Sequence, residues 1–274
     1  MTFIKRTLTL LVGLPIVILL CWFGGLPFLI ACCVAALVGL REFYCAFSKK
    51  DRPVHAVGYI ATVGYFAAIY AFGVGYWLLI TLTLFIVVVQ TCLVVFYKKL
   101  PVSESISTVY GFLYVPFLLS FVVLVRLQDL GFYYVWLIFI ASFGCDTFAY
   151  ITGSLFGKRK LKNSPSPSKS VEGLIGGVIG ATLIGVGYGL VLYRFSSEVT
   201  ALEAVLFIAV ICFFGAIFSI IGDLAASAIK RHCEIKDFGK LFPGHGGVMD
   251  RIDSIVMVAP VVYIVTTVMY LMFA

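Results

Sequence analysis

An all-α, polytopic integral membrane protein of about nine transmembrane helices is the fold class this sequence predicts, on three observations. Hydrophobic residues make up 62% of the 274 and charged residues only 12%, with a mean hydropathy of +1.11, far from the balance of a water-soluble domain. The apolar residues fall into runs long enough to cross a hydrocarbon layer of about 30 Å. Between those runs, the 20 Lys and Arg are distributed very unevenly.

In chain order the runs are 7–23, 26–47, 56–73, 76–97, 106–125, 132–156, 171–193, 200–226 and 254–273. The second and sixth carry internal acids, Glu42 and Asp146. With nine spans, 18 of the 20 basic residues lie on one side and only Arg126 and Arg194 on the other. A wrong count would scramble that separation, so the positive-inside rule supports nine helices, a cytosolic N-terminus and a cytosolic segment at 227–253. The net charge of +7 then reflects topology and contact with anionic lipid, not nucleic-acid binding.

The first five spans are poor in chemistry. Lys5-Arg6 before an apolar run could begin a signal peptide, and Leu29-Ile30-Ala31-Cys32 has the form of a lipoprotein cleavage box. Hydrophobicity continues past both into another span, which argues against processing. The eight cysteines contain no C-x-x-C and lie mostly within spans, as expected of apolar packing rather than disulfides or zinc. Arg41-Glu42 reads as a snorkelling pair at the cytosolic interface, and His55 lies in a short basic loop. Residues 1–130 are therefore expected to be a scaffold, offering lipid access or dimer contacts, and 131–274 to be the catalytic region.

In the sixth span Asp146 lies about 15 Å below the cytosolic end of its helix, where a carboxylate needs a partner or a water-filled cavity. Asp146, Tyr150 and Gly153 recur at i, i+4 and i+7 and so share a helical face. A basic loop of Ser and Pro residues follows, ending Ser168-Lys169-Ser170 before Val171-Glu172-Gly173. Ser170 is placed to cap the seventh helix, and a helix start beside Lys169 suits an anion such as phosphate. Gly173, Gly176, Gly177 and Gly180 have the spacing of close helix packing; the same glycine-rich span makes a homodimer reasonable.

The eighth span delivers Asp223, with Ser227 and Lys230 following on one face at i+4 and i+7. Beyond it come Arg231, Lys236, Asp237, the turn Pro243-Gly244-His245-Gly246-Gly247, then Asp250, Arg251 and Asp253. Glycines let backbone amides approach an anion, and the acids are hard oxygen donors that suit Mg²⁺. Cations for phosphates and carboxylates for a metal, within one inter-helix segment, match the needs of nucleotide phosphoryl or nucleotidyl transfer. His245, between glycines, is suited to positioning phosphate or to general acid work.

The pattern Ser227-x-Ile-Lys-Arg-x4-Lys236-Asp237-x-Gly239-x3-Pro243-x-His245-Gly-Gly-x2-Asp250-Arg-x-Asp253 resembles the signature of the phosphatidate cytidylyltransferases, the CDP-diacylglycerol synthases, with every motif position filled. Asp146-Thr-x-Ala-Tyr150-x2-Gly153-x3-Gly157 and Ser166-Pro-Ser-Lys169-Ser-Val-Glu172-Gly173 are similar to two further stretches of that family, except that Ser168 stands where a basic residue or Asn is usual. The resemblance covers about 130–274 well and the first half only as a hydrophobic pattern.

It implies transfer of the cytidylyl group of CTP to phosphatidate, giving CDP-diacylglycerol and pyrophosphate, with Mg²⁺ and room for a second metal ion. Asp223 and Asp250 would be metal ligands, with Asp146 and Asp253 as secondary ligands or orienters. Lys169, Lys230, Arg231, Lys236 and Arg251 would neutralise the triphosphate or the lipid headgroup. Gly246 and Gly247 would offer amides to phosphate; Asp237, Ser227, Ser170, Glu172 and Tyr150 complete the expected site. The implied setting is a bacterial inner (cytoplasmic) membrane, with CTP reaching the site from the cytosol and a water-accessible cavity lined by spans six to nine. A secondary transporter would also bury acids, but no internal repeat is present, and a polyprenyl transferase would present paired D-x-x-x-D helices. Relatives acting on archaeol phosphates or dolichol would share the CTP chemistry.

Overall fold

The structure is a computed structural model that describes residues 13, 15–47, 54–195, 202–241 and 246–273. A helical stretch over 15–23 (α1) precedes α2 (Gly25–Phe47), α3 (His55–Phe72), α4 (Tyr76–Val95), α5 (Val102–Arg126) and α6 (Gly131–Phe156). Then come α7 (Val171–Phe195), α8 (Leu202–His232), the one-turn α9 (Met249–Ile252) and α10 (Ile255–Phe273). Among the described residues there is no strand, only an isolated antiparallel bridge between Lys160 and Ser170.

The chain is an all-α integral membrane protein: eight helical segments among the described residues are long and apolar enough to span a membrane. They coincide with the second to ninth expected spans; the first, 7–23, lies partly outside the described residues. Within them the polar backbone is satisfied by the helices themselves, as hydrocarbon demands, and hydroxyls bond back to the preceding turn. Thr83 donates to the Leu79 carbonyl and Thr91 to that of Val87, both at 2.8 Å.

Two helices contain one widened turn each, Leu113–Phe117 in α5 and Ile140–Gly144 in α6. Pro116 accounts for the first, because it has no N–H to donate and its ring crowds the turn before it. The second lies directly before Asp146 and resets which residues of α6 share a face. The eighth helix also runs past its expected end at 226 to His232, since no Gly or Pro interrupts it there.

The described chain forms two compact units, Met1–Leu127 with Lys230–Ile252, and Gln128–Ile229 with Asp253–Ala274. Lys230–Ile252 thus belongs to the same unit as the N-terminal helices.

In the first unit Tyr44 is fully buried and seated against Gly58 and Gly111, where a Cβ would overlap its ring. Its hydroxyl donates to the Thr108 carbonyl at 2.9 Å, and its ring stacks on His55 at 5.2 Å. Arg126 donates from Nε to the Cys21 carbonyl at 3.2 Å and so caps the end of α1. In the second unit Gly173, Gly176, Gly177 and Gly180 of α7 meet Ala149, Thr152, Cys145 and Phe148 of α6. The glycine face is thus filled by α6 from within the chain. None of the eight cysteines, all within the described residues, is joined in a disulfide.

Candidate functional site

The second unit holds a pocket of about 390 Å³ lined by Asp146, Ala149, Tyr150, Gly153, Ser154, Lys160, Ser168, Lys169, Ser170, Gly173 and Leu174. Asp146, Tyr150 and Gly153 thus do share the face inferred from their spacing, and that face is the pocket wall. The carboxylate of Asp146 is exposed within its unit rather than packed away.

The opposite wall is the 157–170 loop, folded back on itself by backbone hydrogen bonds. Leu161 N–H donates to the Lys169 carbonyl and Val171 N–H to that of Arg159, both at 3.0 Å. Lys160 Nζ donates to the Ser168 carbonyl at 3.0 Å, so at this position the backbone, not the Ser168 side chain, holds the neighbouring cation. Ser170, buried, accepts the Gly173 N–H at 3.2 Å and caps α7 as expected. Glu172 accepts the Arg159 N–H through both oxygens, at 3.1 and 3.2 Å. Gly157 and Gly153 have no Cβ where the Ser170 hydroxyl approaches. The outcome is a Lys169 held at the pocket by a structured loop and a capped helix start.

Lys169 is ion-paired with Asp223 of α8, both side chains about one quarter exposed. Asp146, Lys169 and Asp223 all lie within electrostatic reach of the buried Cys145 thiol. Next to Asp223, Gly222 admits the Asp253 carbonyl where a Cβ would otherwise sit. Asp253 is buried and its Oδ1 accepts the Ser254 N–H at 2.9 Å. Ser227, half-buried, lies one turn after Asp223 on α8.

The first unit holds the rest of the expected residues. Asp250 is buried, and three donors converge on it: Lys230 Nζ at 2.9 Å on Oδ1, and the N–H groups of Phe238 at 2.9 Å and Gly247 at 3.0 Å on Oδ2. Lys230 also lies 5.5 Å from the centre of the Phe238 ring. Gly246 adopts φ +80°, which suits glycine, and a Cβ there would meet the Asp250 carboxylate. The Gly247 amide is therefore turned toward Asp250. Arg231, Lys236, Asp237 and Arg251 are exposed. His245 lies outside the described residues, as do Pro243 and Gly244.

Sequence reasoning missed Glu42. Taken for an interfacial partner of Arg41, it is buried and its Oε2 accepts the Met249 N–H at 2.8 Å, between Gly239 and Gly247. The available signal was an acid within a span that has three small or apolar residues on either side of the Arg-Glu pair; its partner is remote in sequence and could not be read.

Among the described residues no three or more His, Cys, Asp or Glu side chains form a ready-made metal cage. Mg²⁺ does not require one, since one or two carboxylates with substrate phosphates and water complete its shell. The donors suit it in both units. In the second unit Asp146 lines the pocket and Asp223 pairs with Lys169 at it, and in the first Asp250 has Oδ2 pinned by two amides while Oδ1 keeps an acceptor position beside Lys230.

Against families of known proteins, residues 4–269 match the model of the cytidylyltransferase family. A phosphatidate cytidylyltransferase from Thermotoga maritima is 38% identical over 169 residues, covering 60% of this chain and 61% of that protein. One from Bacillus subtilis is 36% identical over 143 residues, covering 52% and 51%. The matched stretch therefore spans only half to three fifths of those two relatives. A phosphatidate cytidylyltransferase from Staphylococcus aureus strain COL is 29% identical over 263 residues, covering 94% of this chain and 97% of that protein.

Proposed function

Because this chain belongs to the cytidylyltransferase family, we propose that it transfers the cytidylyl group of CTP to phosphatidate, forming CDP-diacylglycerol and releasing pyrophosphate. A phosphate oxygen of the lipid attacks the α-phosphorus of CTP, the bond from that phosphorus to the bridging oxygen breaks, and pyrophosphate leaves with the electron pair. No protein nucleophile is needed, so the residues act by positioning and by offsetting charge.

The observation that carries this reading is the Lys169–Asp223 pair at a pocket that also contains Lys160, the capped start of α7 and Asp146. Lys169 and Lys160 would balance phosphate charge, and the α7 start adds the favourable end of a helix dipole. Asp146 and Tyr150 line the same pocket. In the first unit Lys230 is the cation held in place by Asp250, while Arg231, Lys236 and Arg251 are exposed bases available to triphosphate or headgroup.

Mg²⁺ is the proposed cofactor; in the second unit Asp223 would be a ligand with Asp146 and Asp253 supporting, and in the first unit Asp250 would be a ligand, and the metal would neutralise charge on the transferring and leaving phosphates. The lysine counter-ions of Asp223 and Asp250 are the groups released toward phosphate when the acids take a cation. We also propose that the pocket and the N-terminus face the cytosol of a bacterial inner membrane, on the strength of the 18-to-2 distribution of basic residues and the bacterial sources of the relatives.

The deciding experiment supplies purified protein in detergent with CTP, Mg²⁺ and phosphatidate or a competing lipid phosphate, and assays pyrophosphate and CDP-lipid. Product from phosphatidate alone is expected. Preferential turnover of another lipid phosphate, or none of either, overturns the assignment.

A further inference from the structure

Glu42 lies in the scaffold half of the chain, yet its carboxylate is built into the signature segment. Oε2 accepts the Met249 N–H at 2.8 Å. Gly239 and Gly247 flank it, and a Cβ on either would overlap the carboxylate. These two glycines are thus places where the backbone must come close to an acid from α2.

A buried carboxylate is retained only where its hydrogen bonds offset its desolvation. Here those bonds go to a stretch with a second grip on it. Two residues lie between Gly247, whose N–H is held by Asp250, and Asp250 itself, and one of them is Met249, whose amide is held by Glu42. Asp250 in turn takes Phe238 N–H and Lys230. Removing Glu42 would leave Asp250 attached to Lys230 while the backbone that aims it lost its anchor to α2.

We propose that Glu42 is a positioning residue for the reaction: by holding the Met249 amide, with the backbone at Gly239 and Gly247 closed around it, it sets the direction in which the loop presents Asp250 and Lys230. The proposal rests on the reading of Asp250 as a working residue given above. Glu42 touches no substrate, and its effect passes through the loop.

The test measures kcat, KM for CTP and phosphatidate, and thermal midpoint for full-length Glu42→Ala, Glu42→Asp and Glu42→Gln, with Asp250→Asn and the Glu42→Ala/Asp250→Asn double variant. Displacing a catalytic group by about 1 Å can cost about 100-fold, so Glu42→Ala and Glu42→Asp should lose about that much kcat with KM nearly unchanged. Glu42→Gln keeps an acceptor for the amide and should stay within about tenfold of the parent, the conservative rescue that a need for an acceptor predicts. The double variant should be no slower than Asp250→Asn alone.

Gly247→Ala gives an independent route: it should lower kcat in the parent by pushing on the Glu42 carboxylate, and cost nothing more in the Glu42→Ala background. The proposal fails if Glu42→Ala keeps parental kcat while Asp250→Asn is inactive, or if Glu42→Gln loses as much as Glu42→Ala. Full activity in Asp250→Asn would instead sink the reading of Asp250, and the proposal with it. Should Glu42→Ala not fold, the comparison of Glu42→Gln, Glu42→Asp and Gly247→Ala decides by the same criteria.

Discussion

Lys169, at the foot of α7, and Asp223, on α8, are ion-paired beside the pocket that Asp146 and Tyr150 line. Each keeps the other's charge offset until a substrate or cation arrives. Asp223→Asn and Lys169→Met should each reduce turnover by about 100- to 1,000-fold, the scale for losing one preorganised charge-stabilising group. The double variant should fall no further than the worse single one, because the two act as a unit. Steady-state assays of the three proteins check this, and full activity in Asp223→Asn would remove it from the metal assignment.

Ser170 joins the loop to the helix. Its hydroxyl accepts the Gly173 N–H and packs where Gly153 and Gly157 leave room. Ser170→Ala should cost about 1 kcal/mol of stability, lowering the thermal midpoint by about 2–4 °C in a protein of this size. It should also raise KM for CTP, because the cap orients Lys169. A scanning-fluorescence melt together with CTP titration would show both; an unchanged KM would confine Ser170 to stability.

The glycines of α7 differ in what surrounds them. A Cβ at Gly176 or Gly180 meets the side chain of Thr152 or Phe148, whereas at Gly187 nothing lies within 4 Å. Gly176→Ala and Gly180→Ala should destabilise by about 1–3 kcal/mol through overpacking. Gly187→Ala should be neutral or stabilise by up to about 1 kcal/mol, as expected of Ala replacing Gly in a helix. Denaturation of the three variants in one detergent gives the comparison.

Tyr150 is 78% exposed within its unit and lines the pocket. Tyr150→Cys, in a background where the exposed Cys45 is replaced by Ser, should react with a membrane-impermeant thiol reagent in inside-out vesicles and not in right-side-out ones. CTP with Mg²⁺ should slow the labelling. Reaction from the outer side only would reverse the proposed orientation.

Much of the architecture was legible because hydropathy and charge are local properties. The ends of most helices fell within a few residues of the apolar runs, and the face shared by Asp146, Tyr150 and Gly153 followed from helical periodicity alone. Ser170 as a cap was equally local. The apolar run stopped at 226 because a charged, amphipathic end of a helix does not look like a membrane span, while the shared face of Asp223, Ser227 and Lys230 already carried α8 onward to its end near His232.

By itself the sequence determined the class of the fold, the family signature and the set of charged residues that such chemistry requires. Only the tertiary structure decided who meets whom: Lys169 with Asp223, Lys230 with Asp250, the α7 glycines with α6, and Glu42 with Met249. The last pair is separated by 207 positions. Periodicity tells which way a side chain faces on its own helix, but a pairing between remote segments depends on how helices pack, and packing is decided by shape and buried hydrogen bonds along the whole chain.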